Sequence, residues 1–292
     1  DAGVVVHFSR AGANAVPNGD VDDSGVPDFV ETVGTAYRQS MHAYHEVLGF
    51  ERPANDALVP VDNGGDSQFD VYLLDFALRA DGAFRRECPE PGTGAWPCTG
   101  YMTQENDFIG YTYPSPEWAS RIVSSHEYFH GIQSAYESSQ SVQVIEGTAV
   151  WATEQFDPSL DDLENFSRGY LSRPERSLDQ EPTGPVDSFA YGSALFFECI
   201  AQAHGVNVVR SLFEALKPDE RWLVTMKKLV ESTGETSFDD ELERCFNYNL
   251  FTNTRAIGGY GHDRSDKLGL ATVVEATKEL QVQRSRLYHA AS

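Results

Sequence analysis

The stretch SPEWASRIVSSHEYFHGIQSAY, residues 115–136, determines how the rest of this chain is interpreted. Ser115 can cap a helix, Pro116 suits its first position, and Glu117 places an acid near the positive end of the helix dipole. Apolar side chains then recur close to the helical period, at Trp118, Ile122, Phe129, Ile132 and Tyr136. The pattern predicts a helix of roughly twenty residues.

Two histidines, His126 and His130, lie four residues apart on this helix, so their side chains project from one face. Both imidazoles can reach a single cation, and Glu127 can hold a water bound to that cation. A zinc hydrolase needs this combination of nitrogen ligands, an open coordination position and a carboxylate that takes a proton from the water. The motif predicts a catalytic zinc site, although HExxH also arises by chance, so the sequence that follows matters.

A second apolar segment, residues 142–156, predicts another helix that ends at Asp157-Pro158. It carries Glu146 within the run VIEGTAVWATEQF. A catalytic zinc needs a third protein ligand, and a carboxylate on a neighbouring antiparallel helix supplies one. Glu154, two turns further along the same helix, is the competing candidate for that role.

The residues around the motif separate the classes of zinc hydrolase. The metzincin pattern HExxHxxGxxH requires a glycine and a third histidine where this chain has Gln133 and Tyr136, so that class is excluded. The reversed motif HxxEH is also absent. What remains, HExxH followed by IEGTAVW, resembles a gluzincin, the thermolysin-like class of metallopeptidase. In pattern, most of residues 8–205, including GDVDDSGVPDFVE and DSQFDVYLLDF, also resembles a group of secreted bacterial proteins classed as metalloproteases.

The resemblance implies a set of roles around one Zn²⁺ ion. His126, His130 and Glu146 would be the metal ligands, and Glu127 would be the general base for hydrolysis of a peptide bond. We prefer Glu146 to Glu154 because the small residues that follow Glu146 in EGTA would let helices approach closely around the metal.

Gluzincins also stabilise the oxyanion of the reaction with a tyrosine or histidine from the C-terminal side of the chain. By that resemblance the first candidate is Tyr191, in FAYGSALFF, and the second is His262, in GGYGHD. An ordinary packing role for the Tyr191 ring is the alternative.

An acidic loop precedes the first predicted helix. In the stretch DVDDSGVPDFVE, residues 20–31, oxygen-bearing groups stand at positions 1, 3, 5, 7, 9 and 12, which is the register of an EF-hand calcium loop. These predicted Ca²⁺ ligands are Asp20, Asp22, Ser24, Val26, Asp28 and Glu31. Gly25 stands where such a loop turns sharply, whereas Pro27 departs from the pattern and no convincing helix precedes the loop. The alternative is a solvated acidic turn.

A second acidic turn, around Gly64-Gly65, has no such register and predicts a hairpin or loop.

Four cysteines suggest two disulfides and an oxidising compartment. Cys88 and Cys98 bracket the loop PEPGTGAWP, and Cys199 and Cys245 lie in two predicted helices that can pack side by side. A cysteine-ligated zinc is disfavoured because no CxxC spacing occurs.

Composition excludes some partners. The net charge of −23 argues against binding to nucleic acid or an anionic membrane surface, and no run of eighteen apolar residues predicts a membrane span. With 292 residues and 40% hydrophobic content, the chain can bury one large core or two joined subdomains. The chain begins without a methionine or signal peptide, as expected of a processed or trimmed protein.

The order of predicted elements is α+β. Strands are expected at 4–9 and 69–76, and helices at 28–48, 191–203, 207–216 and 222–232, with a further helix that Ser237 caps. Residues 81–115 are turn-rich and are expected to form loops and short strands. Residues 255–268 are expected to be a loop, and the tail after Leu270 is expected to be a linker or a fragment of a further module.

The predicted architecture is gluzincin-like and forms one catalytic unit. A sheet-containing N-terminal subdomain (1–137) holds the calcium-type loop and the active-site helix, a mainly helical C-terminal subdomain (138–292) follows, and the zinc helices lie at the centre.

The predicted function is that of a secreted zinc endopeptidase acting on proteins or peptides. The alternatives are a calcium-stabilised surface or binding module without turnover, and an aminopeptidase. The intact Glu127 favours an enzyme, because a site without turnover needs no general base.

Overall fold

The structure is a computed structural model that describes residues 3–54, 67–88, 98–136, 140–182, 184–218 and 220–273. The glycine pair of the second acidic turn, the loop between Cys88 and Cys98, and the tail after 273 lie outside the described residues. The described part is α+β, as predicted, and the chain divides into two units. One comprises residues 1–139 with 155–160, and the other comprises residues 140–154 with 161–292.

The first unit contains a mixed four-stranded sheet. Its strands are β1 (Val4–His7), β2 (Phe69–Leu74), β3 (Gly82–Glu87) and β4 (Thr99–Glu105), in the order β1-β2-β4-β3. Strand β2 pairs parallel with both β1 and β4, whereas β3 pairs antiparallel with β4 and forms an edge of the sheet. The Cys88–Cys98 disulfide joins the end of β3 to the start of β4, with 4.4 Å between the Cα atoms.

Two long helical elements pack with this sheet. The predicted helix 28–48 is α1 (Asp28–Met41), continued by a π-helical segment (His42–Val47), and Gly49 ends it with φ of +74°. The Tyr44 hydroxyl donates to the carbonyl of Ser125 at 3.1 Å, which ties the π-helical segment to the second helix. Side chains from both layers form the core, and those fully buried include Val33, Tyr37, Val71, Met102 and Phe129.

The helix predicted over residues 115–136 is confirmed as α2 (Pro116–Ala135). The Ser115 hydroxyl accepts a hydrogen bond from the Trp118 amide at 3.1 Å, so this residue caps the helix as its side-chain chemistry predicts. Proline occupies the first turn, where a missing amide hydrogen costs nothing.

The second unit is helical where the structure describes it. Its helices are α3 (Val142–Phe156, in this unit through Glu154), α4 (Asp162–Leu171), α5 (Ser188–Gly192), α6 (Ala194–His204), α7 (Asn207–Ala215), α8 (Trp222–Glu231) and α9 (Phe238–Leu250). The α3 bounds match the prediction, whereas the predicted helix 191–203 is in fact two helices, α5 and α6, which meet at Ser193. The Cys199–Cys245 disulfide joins α6 to α9, with 5.9 Å between the Cα atoms.

The segment after α9 packs on α4. The Gly269 amide donates to the Ser167 hydroxyl at 2.8 Å, the Thr272 amide donates to the Leu171 carbonyl at 2.9 Å, and Leu268 is buried. The predicted loop is irregular but anchored, and its packing on α4 continues as far as Thr272. Among the helices that the structure describes, none has the length and apolar character needed to cross a bilayer.

Candidate metal centre

The zinc motif forms a compact cluster of ligand atoms on α2. His126, Glu127 and His130 each offer an atom to a group in which all such atoms lie within 4.8 Å of one another. The two imidazole rings are perpendicular, with their centroids 4.8 Å apart. All three residues are half-buried. This geometry follows from the four-residue spacing on a regular helix.

A neighbouring amide orients one of the histidines. Nδ1 of His130 lies 2.8 Å from Oε1 of Gln133, one turn later on α2. Because a carbonyl oxygen can only accept, this contact assigns the proton to Nδ1 and the lone pair to Nε2. Metal-binding histidines typically have such a partner, which the sequence did not identify in advance.

The edge strand β3 orients the carboxylate. The Phe84 amide donates to Oε2 of Glu127 at 2.9 Å. Strand and helix come this close because residue 82 is glycine: a Cβ there would lie 2.5 Å from Cγ1 of Val123 and 3.1 Å from Cγ of Glu127. Neither Gly82 nor Phe84 carries a signal in the sequence, because each acts through its backbone.

Two titratable side chains of the first unit lie outside the sequence motifs. Tyr37 on α1 is fully buried, and its pKa is raised well above its ordinary value, first by burial and second by the negative charge of Glu127. His45 places Nε2 2.7 Å from the Tyr128 hydroxyl and Nδ1 2.9 Å from the Phe50 carbonyl oxygen, and burial lowers its pKa. His45 is therefore a packed residue.

The two candidate third ligands lie on α3 in the second unit. Glu146 is half-buried, and its role as a zinc ligand stays a prediction. Glu154 is buried, 2.9 Å from Arg264, and its pKa is raised to about 8 by burial and, next, by Glu164. Gly147 allows α3 to approach α6, since a Cβ there would lie 2.2 Å from Oγ of Ser193. This glycine therefore serves helix packing and is not by itself evidence for the metal.

The two candidates for the oxyanion role also lie in the second unit. Tyr191 is half-buried, and its ring stacks on Phe166 with 4.8 Å between centroids. His262 is 4% exposed, its Nε2 lies 2.8 Å from Oδ1 of Asn249, and burial lowers its pKa to about 3. An enclosed histidine of this kind is a poor electrophile for a substrate, so Tyr191 stays the preferred candidate, on prediction alone.

The acidic loop brings several groups of the predicted register close together. Carboxylate oxygens of Asp20, Asp22 and Asp28 lie within 4.8 Å of one another. The Ser24 hydroxyl donates toward the Val26 carbonyl at 3.2 Å and toward Oε1 of Glu31 at 3.0 Å.

Backbone amides and a glycine shape this loop. The Ser24 amide donates to Oδ1 of Asp20 at 3.0 Å, and the Gly25 amide donates to Oδ2 of the same carboxylate at 3.0 Å. Gly25 has φ of +84°, in the left-handed region that glycine adopts without strain.

A cavity of about 310 Å³ lies beside Tyr128, with Met41, Arg52 and Phe69 among the residues that line it. Tyr128 is two residues from each histidine of the motif, so on a helix it points to the opposite side. This cavity is therefore separate from the histidine cluster.

No protein-family model, curated protein or solved structure matches the chain. The resemblance to gluzincins therefore rests on the residues of the chain itself.

Proposed function

We propose that this protein is a secreted zinc-dependent peptidase. The observation that carries the proposal is the cluster of His126, Glu127 and His130, whose ligand atoms lie within 4.8 Å of one another on one helix. Imidazole nitrogen is a ligand that zinc favours, and catalytic zinc sites combine such nitrogens with a carboxylate and leave one position for water. The donor set present therefore fits this metal.

Each residue of the site has a separate role in the proposed reaction. His126 and His130 would hold the zinc, and Glu146 would be the third ligand by its place in the EGTAVW pattern. When bound, zinc lowers the pKa of its water to about 7 and polarises a carbonyl group. Tyr191 is proposed to donate a hydrogen bond to the developing oxyanion.

Glu127 is the general base in this proposal. It takes a proton from the attacking water as the new C–O bond forms and the carbonyl oxygen becomes the oxyanion, and it then passes that proton to the departing amine as the peptide C–N bond breaks. The Phe84 amide, 2.9 Å from Oε2, orients the carboxylate for this role without charge of its own.

We further propose that the loop 20–31 binds Ca²⁺. Oxygen ligands suit this hard cation, and three carboxylates already lie within 4.8 Å of one another. Ser24, Val26 and Glu31 close the set through the hydrogen bonds of the Ser24 hydroxyl. A bound cation would cancel the repulsion among these carboxylates.

The two disulfides support an extracellular location, because they suit folding in an oxidising compartment, where millimolar calcium is common. The net charge of −23 disfavours nucleic acids and anionic surfaces as partners.

Anomalous scattering at the zinc edge tests the metal directly. We expect one peak between the His126 and His130 rings, and loss of zinc from His126→Ala and His130→Ala in metal analysis. His42→Ala, on an exposed residue of the same unit, is the matched control and should retain the metal. Absence of a zinc peak in protein saturated with zinc would contradict the proposal.

A further inference from the structure

Strand β3, whose backbone contacts Glu127, has no buried residue of its own. All six of its residues are half-buried or exposed, whereas six of the seven residues of the neighbouring strand β4 are buried. Among the described strands β3 pairs with β4 alone, at the edge of the sheet. An edge strand without buried side chains separates easily from its sheet. The position of β3 therefore depends on a small number of specific contacts.

The first of these contacts lies near the start of the strand. The Phe84 amide donates to Oε2 of Glu127 at 2.9 Å. The Phe84 ring packs over β4, since a Cβ on Gly100 would lie 2.6 Å from Cζ of that ring. Gly82 allows the approach to α2 and Gly100 allows the approach to β4. This end of β3 is thus held by close packing and one hydrogen bond.

The Cys88–Cys98 disulfide secures the other end of the strand. It joins the residue that follows β3 to the residue that precedes β4, with 4.4 Å between the Cα atoms. Cys98 is itself fixed, because it is 0% exposed and its amide donates to the Ser134 carbonyl of α2 at 2.9 Å. The end of β3 is therefore joined, through one covalent bond and one hydrogen bond, to the helix that carries Glu127.

The two attachments of β3 to α2 have matching spacing. Phe84 and Cys88 are four residues apart, which is about 13 Å along a strand. On α2, Glu127 and Ser134 are seven residues apart, which is about 10 Å along a helix. The strand therefore runs alongside the helix and is attached near both ends of the same stretch.

We propose that the Cys88–Cys98 disulfide positions Glu127 for its role in the reaction. By fixing the far end of β3, it keeps the Phe84 amide on the carboxylate and holds the general base in one orientation. Both cysteines are positioning residues, which act on the reaction only through β3, and the inference rests on the proposed role of Glu127. A cross-link restricts the motion of the strand without adding charge beside the metal ligands.

Hydrogen exchange of single amides, followed by NMR, tests the positioning without any peptidase assay. In Cys88→Ser/Cys98→Ser we expect the Phe84 amide to exchange about tenfold faster, the effect of losing one hydrogen bond to an ionised group. Glu127→Ala removes the acceptor and should give the same change. The Val71 amide, in the central strand β2, should keep its protection. Unchanged exchange at Phe84, or an equal loss of protection at Val71, would overturn the proposal.

The second disulfide provides the matched control. Cys199→Ser/Cys245→Ser removes a cross-link from the other unit, so it should lower stability and leave Phe84 exchange unchanged. If Cys88→Ser/Cys98→Ser folds poorly, brief reduction of the folded wild type with a phosphine opens the same bond. Cys88 is half-buried, whereas Cys199 and Cys245 are buried, so the first disulfide is reduced selectively.

The catalytic consequence is measured separately. We expect kcat of zinc-loaded Cys88→Ser/Cys98→Ser to fall about tenfold with zinc content unchanged, because the metal ligands remain while the base loses its restraint. Faster exchange at Phe84 with an unchanged kcat would overturn the role of the disulfide in the reaction. An inactive wild type whose Phe84 exchange still depends on the disulfide would refute the peptidase and leave the positioning of the carboxylate standing.

Discussion

The Phe84 amide on edge strand β3 donates a hydrogen bond of 2.9 Å to Oε2 of Glu127 on helix α2. The contact joins the backbone of the sheet to the carboxylate of the HExxH motif. It depends on Gly82, two residues earlier, which lets the strand lie against Val123 and Glu127. The missing side chain of Gly82 thus allows the Phe84 amide to reach and orient the Glu127 carboxylate.

Gly82→Ala is expected to disturb this contact. The added Cβ would lie 2.5 Å from Cγ1 of Val123, a stiff β-branched side chain, so strand and helix must separate. We expect a loss of stability of about 1–3 kcal/mol, typical of overpacking, together with a lower kcat. Gly258→Ala, where a Cβ meets nothing within 4 Å, is the control and should have little effect on either quantity. Denaturant unfolding and peptidase assays measure both, and equal behaviour of the two variants would refute the steric argument.

Glu127→Gln is expected to retain zinc, because the ligand residues remain, and to reduce peptide hydrolysis by several orders of magnitude. Glu117→Gln, an exposed acid in the first turn of the same helix, should behave as wild type. Hydrolysis of a casein-like substrate and metal analysis provide the measurements. A near-wild-type rate in Glu127→Gln would exclude the mechanism.

The choice of third ligand predicts opposite outcomes for two glutamates on α3. Glu146→Ala should lower zinc content and activity together. Glu154→Ala should keep the metal, because the Glu154 carboxylate already lies 2.9 Å from Arg264. Metal analysis of both variants identifies the third ligand. Loss of zinc from Glu154→Ala with zinc retained in Glu146→Ala would assign that role to Glu154.

Calcium is expected to stabilise the fold through the loop that precedes α1. A ligand that binds only the folded state adds about 2.7 kcal/mol at a hundredfold excess over its dissociation constant. Chelation by EGTA should therefore lower the melting temperature, and Glu31→Gln should reduce that response. Asp23→Asn, at a loop position outside the ligand register, is the control. Melting that is indifferent to calcium between micromolar and millimolar levels would identify a solvated acidic turn.

Stability should also fall with rising pH because of Glu154. Burial, with a further contribution from Glu164, raises its pKa from 4.5 to about 8 in the folded state, while Arg264 acts in the opposite direction. Between these values the folded protein keeps a proton that the unfolded chain has lost. The stabilisation is complete below pH 4.5 and disappears as the pH rises through 8.

The slope from this one group is at most about 1.4 kcal/mol per pH unit, and it adds to those of other groups. The free energy of unfolding, measured with urea from pH 5 to 8, should depend less on pH in Glu154→Gln than in wild type. Glu175→Gln, on an exposed residue, should leave that dependence unchanged. Parallel pH profiles for wild type and Glu154→Gln would contradict the assignment.

Local chemistry made part of this structure predictable from the sequence. The bounds of α3, the Ser115 cap of α2 and the shared face of His126 and His130 follow from helical period and capping. Asp20, Asp22 and Asp28 lie close together because they belong to one short loop. Both cysteine pairs also form as predicted. In each helix and in the loop, the deciding interactions join residues only a few positions apart.

Other features depended on packing between distant segments. The predicted helix 191–203 breaks at Ser193, whose hydroxyl donates to the Gln143 carbonyl at 2.8 Å, fifty residues away along the chain. The sequence analysis did not predict helix α4, nor the packing of the segment up to residue 273 against that helix. These features depend on which surfaces meet, and periodicity within one segment does not encode that information.

The candidate site divides in the same way. The sequence alone determined which side chains could bind a metal, because ligand chemistry and a four-residue spacing are local properties of α2. Only the tertiary structure placed Gly82 and the Phe84 amide against Glu127. Both act through backbone atoms, which all residues share, so the sequence carries no signal for them until long-range packing brings strand and helix together.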